Sequence, residues 1–264
     1  MPEVQRAALI IPFHNEENRL SLVSLEALLQ HKRFSLYLVD DGSRDATYQI
    51  LNKWQIENNL DNRVTIIKLL SNVGKANAVR LGMRRAVADG FEVVGQMDAD
   101  ASIGERDLLL GLDLIQQNEC THLVSGARVR LAGSSVLRNP ARLWLGRIIA
   151  TFIFLITRIP MYDPQSPLKW WRFAAENSST LDSPLETFWF GEVELIIRLS
   201  NGEHKPKEPQ LLREFPIEFW IDDAHSHFGN LRSYLRVISD LRKLLVISWQ
   251  KVREKRRLKK ASGD

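Results

Sequence analysis

Two carboxylates one residue apart, Asp98 and Asp100, close the apolar run Phe91-Glu92-Val93-Val94-Gly95-Gln96-Met97. In an extended backbone residues 98 and 100 project to one face, with Ala99 pointing away. Two hard oxygen donors on one face suit Mg²⁺ or Mn²⁺, and either ion would neutralise a bound diphosphate. An Asp-x-Asp pair is also what a capped turn uses, because Asp hydrogen-bonds its own backbone. A second pair, Asp40-Asp41, ends the run Ser35–Val39 and leads into Gly42-Ser43. A carboxylate there can accept from ribose hydroxyls or a nucleobase, or it can form an Asx turn with a helix cap. Gly74-Lys75 at a helix start can approach phosphates or stand as a solvated turn.

Elements that would position these groups are visible in the periodicity. Apolar runs predict strands over Ala7–Pro12, Ser35–Val39, Val64–Leu69, Phe91–Met97 and His122–Ser125. Helical spacing lies between them: Leu20–Leu29, from Ser43 or Asp45 towards Asn58, from Lys75 through Ala88, and Glu105–Gln117. The alternation predicts a mainly parallel sheet with right-handed crossovers. Ligands of such sheets sit at the strands' carboxyl ends, where both acid pairs fall. Beyond residue 130 the pattern changes to an apolar helix over Arg138–Ile159, a helix over 186–200 and a late strand over Glu214–Ile221. A long helix follows from Leu231 to about Lys260, with an apolar stripe that includes Leu235, Ile238, Leu241, Leu245 and Trp249.

Composition excludes several classes. One cysteine among 264 residues rules out an internal disulfide and a cysteine-based zinc site, and fits a reducing cytosol. His204, His225 and His227 lack zinc-ligand spacing. No Gly-x-Gly-x-x-Gly follows the first strand and no phosphate-loop motif occurs, which argues against nicotinamide and P-loop chemistry. The net charge of +4 is carried by the tail, since residues 251–260 hold seven bases and one acid; the remainder offers no broad basic face for nucleic acid. The first residues show no signal-peptide pattern. The longest apolar stretch, Leu143–Ile159, contains Arg147 and falls below the roughly 20 residues needed to span a bilayer. It reads either as a core helix or as one lying in a bilayer interface. The C-terminal helix likewise suits an anionic membrane surface or a packed helix with a solvated basic end.

Pro12-Phe13-His14-Asn15-Glu16-Glu17, Val39-Asp40-Asp41-Gly42-Ser43-Arg44-Asp45-Ala46-Thr47, Asn72-Val73-Gly74-Lys75-Ala76-Asn77-Ala78 and Asp98-Ala99-Asp100 stand in the order found in family 2 glycosyltransferases. The chain resembles that family, whose GT-A fold binds nucleotide-diphospho-sugars. The resemblance implies that Pro12, Asn15, Glu16 and Asp41 hold the nucleoside, with Lys75 beside it and Asp98 near ribose and diphosphate. Asp98 and Asp100 would be the metal ligands, Asp100 the principal one. Ser125-Gly126-Ala127-Arg128, Arg138, Asp163-x-Gln165-x-x-x-Lys169-x-x-Arg172, Glu192-Val193-Glu194-Leu195 and Glu214-Phe215-Pro216-Ile217 resemble polyprenyl-phosphate sugar synthases, as far as about residue 230. That likeness implies Arg128 and Arg138 on the acceptor phosphate, a task suited to guanidinium. Ser226 and His227 of a closing loop would join them. Three places depart from the pattern: Ala101-Ser102 replaces the usual Leu-Gln after the Asp pair, His227 replaces a Lys or Arg, and the segment His204–Leu212 is longer than the usual turn.

These features set the following expectations. Residues 1–230 form a GT-A domain, with a nucleotide-sugar half to 130 and an acceptor half to 230, and 231–264 a basic amphipathic helix. The enzyme inverts the anomeric centre while moving a sugar from a UDP- or GDP-linked donor to a polyprenyl phosphate at the cytoplasmic face of the membrane, with Mg²⁺ or Mn²⁺. An ionised phosphate needs no general base, so alignment and charge neutralisation suffice. A saccharide hydroxyl, the alternative acceptor, would need one, and Asp163, Glu192 and Glu194 are the candidates, at least one of them being a plain surface helix or loop acid. A non-catalytic nucleotide-sugar-binding or membrane-interacting protein is the third reading.

Overall fold

The computed structural model describes residues 6–100, 102–174, 177–199, 212–221 and 231–261. Its first half runs β1 (Ala7–Phe13), α1 (Leu22–Gln30), β2 (Phe34–Asp40), α2 (Thr47–Glu57), β3 (Val64–Lys68), α3 (Lys75–Ala88), β4 (Val93–Gln96), α4 (Glu105–Gln116) and β5 (Leu123–Ala127). Then come β6 (Ser135–Leu137), α5 (Pro140–Thr157), β7 (Lys169–Arg172), a 3₁₀ turn (Ser178–Leu181), α6 (Gly191–Leu199), β8 (Leu212–Pro216), β9 (Phe219–Ile221) and α7 (Leu231–Ala261). The main sheet has the order β3-β2-β1-β4-β7-β5-β8, and β6 pairs with β9 apart from it. Strands β1 to β4 are mutually parallel, and β7 alone runs antiparallel, between β4 and β5.

Alternation along the strands divides the core between two faces. Leu9 and Ile11 join Leu36, Leu38 and Trp170 against Leu25 and Leu28 of α1, Leu51 and Trp54 of α2 and Leu112 of α4. Ala8 and Ile10 join Val39, Val94 and Trp171 against Val79 and Met83 of α3, Val193 of α6 and Val237 and Leu244 of α7. β7 thus places one tryptophan on each face. Room for Trp170 comes from two glycines: a Cβ on Gly95 would lie 2.6 Å, and one on Gly111 2.7 Å, from its ring. Emptying that site, as in Trp170→Ala, falls in the class that costs about 3–5 kcal/mol.

Two segments differ from the sequence-based expectations. The late strand is broken at Ile217-Glu218, so β8 belongs to the main sheet and β9 to the small one. The helix expected from 186 begins at Gly191. Residues 185–189 stay out of helix because side chains elsewhere hold their backbone amides.

Candidate active site

The carboxyl ends of β1, β2, β3 and β4 lie at one edge of the sheet, and the loops leaving β1 and β2 are interlocked there. Asn15, in the left-handed region at φ 56°, donates its N–H to Ser43 Oγ (3.0 Å) and accepts from Arg44 N (2.9 Å). Thr47 Oγ1 accepts from Glu16 N at 2.8 Å, and Glu17 Oε2 accepts from Ala46 N at 2.7 Å. Gly42 sits at φ 63° with its α-carbon so near the chain after β3 that a Cβ would lie 2.5 Å from the Ser71 carbonyl carbon. Any other residue would be strained there twice over, in conformation and in space. Asp41 is buried, and its two oxygens accept from Val73 N (2.7 Å) and Gly74 N (3.0 Å), which sets the start of α3. The Glu16 carboxylate pairs with Arg19 at 2.8 Å. A cavity of about 480 Å³ lined by His14, Asn15, Gly42, Ser43, Arg44 and the 68–72 stretch opens here.

Lys75, first residue of α3, reaches Asp98 Oδ1 at 2.6 Å. Desolvation works against its charge, but Asp98, Glu192 and Asp100 outweigh it and hold the ammonium above the ordinary lysine pKa. Asp98 is partly exposed and Asp100 exposed; Asp100 Oδ1 accepts from Ser102 N at 3.0 Å. Ser102 Oγ is enclosed and has no hydrogen-bond partner among the described residues. Two carboxylates with an enclosed, unpartnered hydroxyl beside them are a hard oxygen set that fits Mg²⁺ or Mn²⁺ when substrate phosphates supply the remaining ligands.

Asp98 and Asp100 also line a second cavity, of about 360 Å³, whose cations are Arg128, Arg138 and Arg147. Arg128 holds Asp163 through a fork, Nε to Oδ2 at 2.7 Å and Nη2 to Oδ1 at 2.9 Å, and stacks 5.0 Å from the Trp220 ring. Burial alone would raise the Asp163 pKa, but Arg128 outweighs it and keeps the carboxyl below its usual value. Arg147 donates to the Tyr162 carbonyl at 2.6 Å and lies over the Tyr162 ring. Glu214 Oε2 and Oε1 accept the N–H groups of Tyr162 and Asp163 at 2.6 and 2.9 Å.

Of the expected site residues, the structure gathers Asp98, Asp100, Arg128, Arg138 and Asp163 around this cavity. Glu192 is not among the lining residues; it accepts from Gln96 Nε2 at 3.2 Å and acts on Lys75 electrostatically. Glu194 lines neither cavity. It is fully buried, accepts from the backbone of Glu186 and Thr187, and pairs with Arg198 at 2.6 Å. Its oxygens hold the 186–187 backbone and Arg198. Ser226 and His227 lie outside the described residues.

Several participants carried no role in the sequence reading. Lys169, whose Nζ donates to the Ser166 carbonyl, is fully buried at the start of β7. Burial pushes its ammonium below the ordinary lysine value, against the pull of Glu192 and Asp163. Gln96 joins the two halves, donating to Glu192 and accepting from Trp171 Nε1 at 3.2 Å. A lysine inside the motif around Asp163 was the available signal for the first; Gln96 has none, being one polar residue in an apolar strand.

The sequence model of glycosyl transferase family 2 matches residues 8–176. A UDP-N-acetylglucosamine–dolichyl-phosphate N-acetylglucosaminyltransferase of Methanococcus voltae is 30% identical over 172 residues, covering 61% of this chain and 67% of that protein. A polyprenol monophosphomannose synthase of Mycolicibacterium smegmatis is 27% identical over 160 residues, 60% of this chain and 58% of its own length. The chain thus spans two thirds or less of each of these relatives. Among solved structures, a Pyrobaculum calidifontis mannosyltransferase in complex with GDP-Man and Mn²⁺ superposes with TM-score 0.59 at 17% identity, over 91% of this chain and 63% of that one. Glucosyl-3-phosphoglycerate synthase of Mycobacterium tuberculosis, bound to Mn²⁺, UDP and its product, gives 0.61 at 15% identity over 94% and 80%. The α/β fold is that of these GT-A enzymes, and with its family model matched from the first strand to beyond β7, the chain belongs to glycosyl transferase family 2.

Proposed function

We propose that this protein transfers a sugar from a nucleoside-diphosphate donor to a polyprenyl phosphate, at the cytoplasmic surface of a membrane. The observation that carries the reading is the composition of the second cavity. It joins the Asp98/Asp100 edge to three arginines, and its buried carboxylate is already bound by Arg128. A hydroxyl acceptor would need a base there. Asp163 is held by Arg128 with a lowered pKa, Glu192 accepts from Gln96 and lines neither cavity, and Glu194 is taken up by its loop. An acceptor that arrives ionised needs none of them, and suits a cationic wall. The relatives named for dolichyl phosphate and polyprenol substrates support the same acceptor class.

In this reading the loops after β1 and β2 seat the nucleoside, and Lys75 faces the diphosphate. Asp98 and Asp100 would hold Mg²⁺ or Mn²⁺, with Ser102 Oγ available to the oxygen set. Such an ion would neutralise the leaving diphosphate. An acceptor phosphate oxygen, directed by Arg138 and Arg147, bonds to the anomeric carbon as the bond to the diphosphate breaks, with inversion. Of the protein itself this requires alignment and fixed positive charge.

A lipid acceptor must be met where it lies. Among the described residues no helix is long and apolar enough to cross a membrane. Most of the apolar stripe read in α7 turns outward: Leu235, Ile238, Leu245 and Trp249 are all at least half exposed, while Leu241 packs on the body beside Val237, Leu244 and Ile247. α5, which packs on α7, exposes Trp144, Ile148, Phe152 and Leu155, and its Gly146 and Arg147 line the cavity. Exposed apolar side chains on two packed helices, one of which lines the cavity, and a basic tail favour an anionic bilayer surface.

The test separates acceptor from donor. Arg138→Ala should raise the KM for polyprenyl phosphate while leaving nucleotide-sugar affinity near that of the parent; equal loss of both would overturn its acceptor role. Deleting 251–264 should weaken sedimentation with anionic liposomes in a salt-sensitive manner, and unchanged sedimentation would remove the tail from the membrane contact.

A further inference from the structure

Five consecutive backbone amides, those of residues 185–189, are held by side chains from three helices. Leu185 N donates to Asn77 Oδ1 of α3 at 2.8 Å. Glu186 N and Thr187 N both donate to Glu194 Oε2 of α6 at 2.9 Å. Phe188 N and Trp189 N donate to one oxygen of α7, Asp240 Oδ2, at 2.8 and 2.6 Å. Asp240 is 2% exposed, so these bonds are made out of water, where an amide left unmatched is costly. α7 adds two more contacts: Lys243 Nζ donates to the Glu186 carbonyl at 2.7 Å, and the Arg236 guanidinium lies 5.0 Å from the Phe188 ring.

The clamped segment touches both sides of the site. Phe188 packs on Gly74, the residue before Lys75, where a Cβ would meet its ring at 3.3 Å. The Trp189 carbonyl accepts from Gln165 Nε2 at 2.8 Å, and Trp189, Phe190 and Gln165 all line the cavity with the arginines. Glu192, beside Lys75, follows two residues later. A shift of the 188–189 peptides would therefore move the cavity wall and the neighbourhood of Lys75 together.

We propose that Asp240 is a positioning residue for sugar transfer, fixing the Trp189-Phe190 wall, so that α7 completes the active site from within as well as facing outward. The proposal rests on the functional reading above only in naming the cavity as the acceptor's.

Both amides go to a single oxygen, so Asp240→Asn can keep them through its carbonyl, whereas Asp240→Ala removes the acceptor. The assay is nucleoside diphosphate release in detergent, with no bilayer present and with a polyprenyl phosphate as acceptor. Asp240→Ala should lose about 10- to 100-fold in kcat over acceptor KM, as misplacing a positioned group does. Its sedimentation with liposomes should stay near the parent's, and Asp240→Asn should stay close to the parent throughout. Parent-like acceptor kinetics for Asp240→Ala, or an equal fall for Asp240→Asn, would overturn the proposal. Hydrogen exchange decides the clamp without any acceptor. Faster exchange at Phe188 and Trp189 in the alanine variant but not in the asparagine variant supports it, and unchanged protection overturns it. Should alanine at 240 prevent folding, Lys243→Met at a half-exposed position removes the bond to Glu186 and should shift acceptor KM in the same direction; no shift counts against the role of α7.

Discussion

The edge of the sheet and the wall beside it are both rich in carboxylates, yet they use them in opposite ways. At the edge, Asp98 is partly exposed and Asp100 exposed, and among the described residues they are held by one lysine and one backbone amide. In the wall, Asp163, Glu194 and Asp240 are buried, and each is bound by two or more donors. The same functional group is available to a ligand in the first setting and is part of the scaffold in the second. Residue type nominated Asp98, Asp100, Asp163 and Glu194 alike, and missed Asp240; only the partners separate the two sets.

Substitutions should therefore divide between activity and stability. The largest effect is expected in the wall: Arg128→Ala strands the buried Asp163 carboxylate, which should cost about 3–5 kcal/mol in urea unfolding. A loss within the scatter of surface substitutions would mean that the wall is not held by this pair. The pH dependence follows from the lowered Asp163 pKa. That contribution is complete above the unfolded-state value of about 4 and disappears as pH falls through the lower folded value. Acid melting of the parent should thus steepen below about pH 4, and Asp163→Asn should flatten it. At the edge, Asp100→Ala should leave the unfolding midpoint unchanged and lower kcat by about 10²–10³-fold, the scale of losing one charge-stabilising group. A stability loss without that activity loss would reverse the assignment.

Smaller effects sharpen the division. Glu194→Gln keeps the shape but loses the charge that pairs Arg198, and should cost about 1–3 kcal/mol of stability with kcat preserved once folded. A selective fall in kcat would return Glu194 to the chemistry. Outermost, Arg253 lies over Trp249 on the exposed side of α7. Arg253→Ala should weaken liposome partitioning by about 1 kcal/mol at low salt, with no change in detergent kinetics.

The edge was largely legible in the sequence. Buried parallel strands read as continuous apolar runs, and the groups that matter there sit in the loops directly after them. The wall was not. β7 is four residues long and carries a cation at each end, so neither alternation nor an apolar run marks it; its place in the sheet depends on Gly95 and Gly111 making room for Trp170. The helix expected from 186 is shortened by Glu194 and by Asp240, which lies 51 residues beyond Trp189 in the chain. In α7 the outward stripe was read from Leu235 to Trp249, while the inward one, Val237, Leu244 and Ile247 with Asp240 among them, went unread because an acid breaks it. Local pattern reports which residues share a face; it does not report which face has a partner.

In the proposed reaction an anionic lipid phosphate receives the sugar while Asp98 and Asp100 serve the donor. The decisive experiment incubates the full chain with Mn²⁺, polyprenyl phosphate and radiolabelled UDP- and GDP-sugars, then partitions the products between organic solvent and water. Label is expected in the organic phase, acid-labile as a sugar–phosphate bond is, and none with Asp100→Ala. Label that stays in water as free sugar or on an added saccharide, with the organic phase empty, would contradict it.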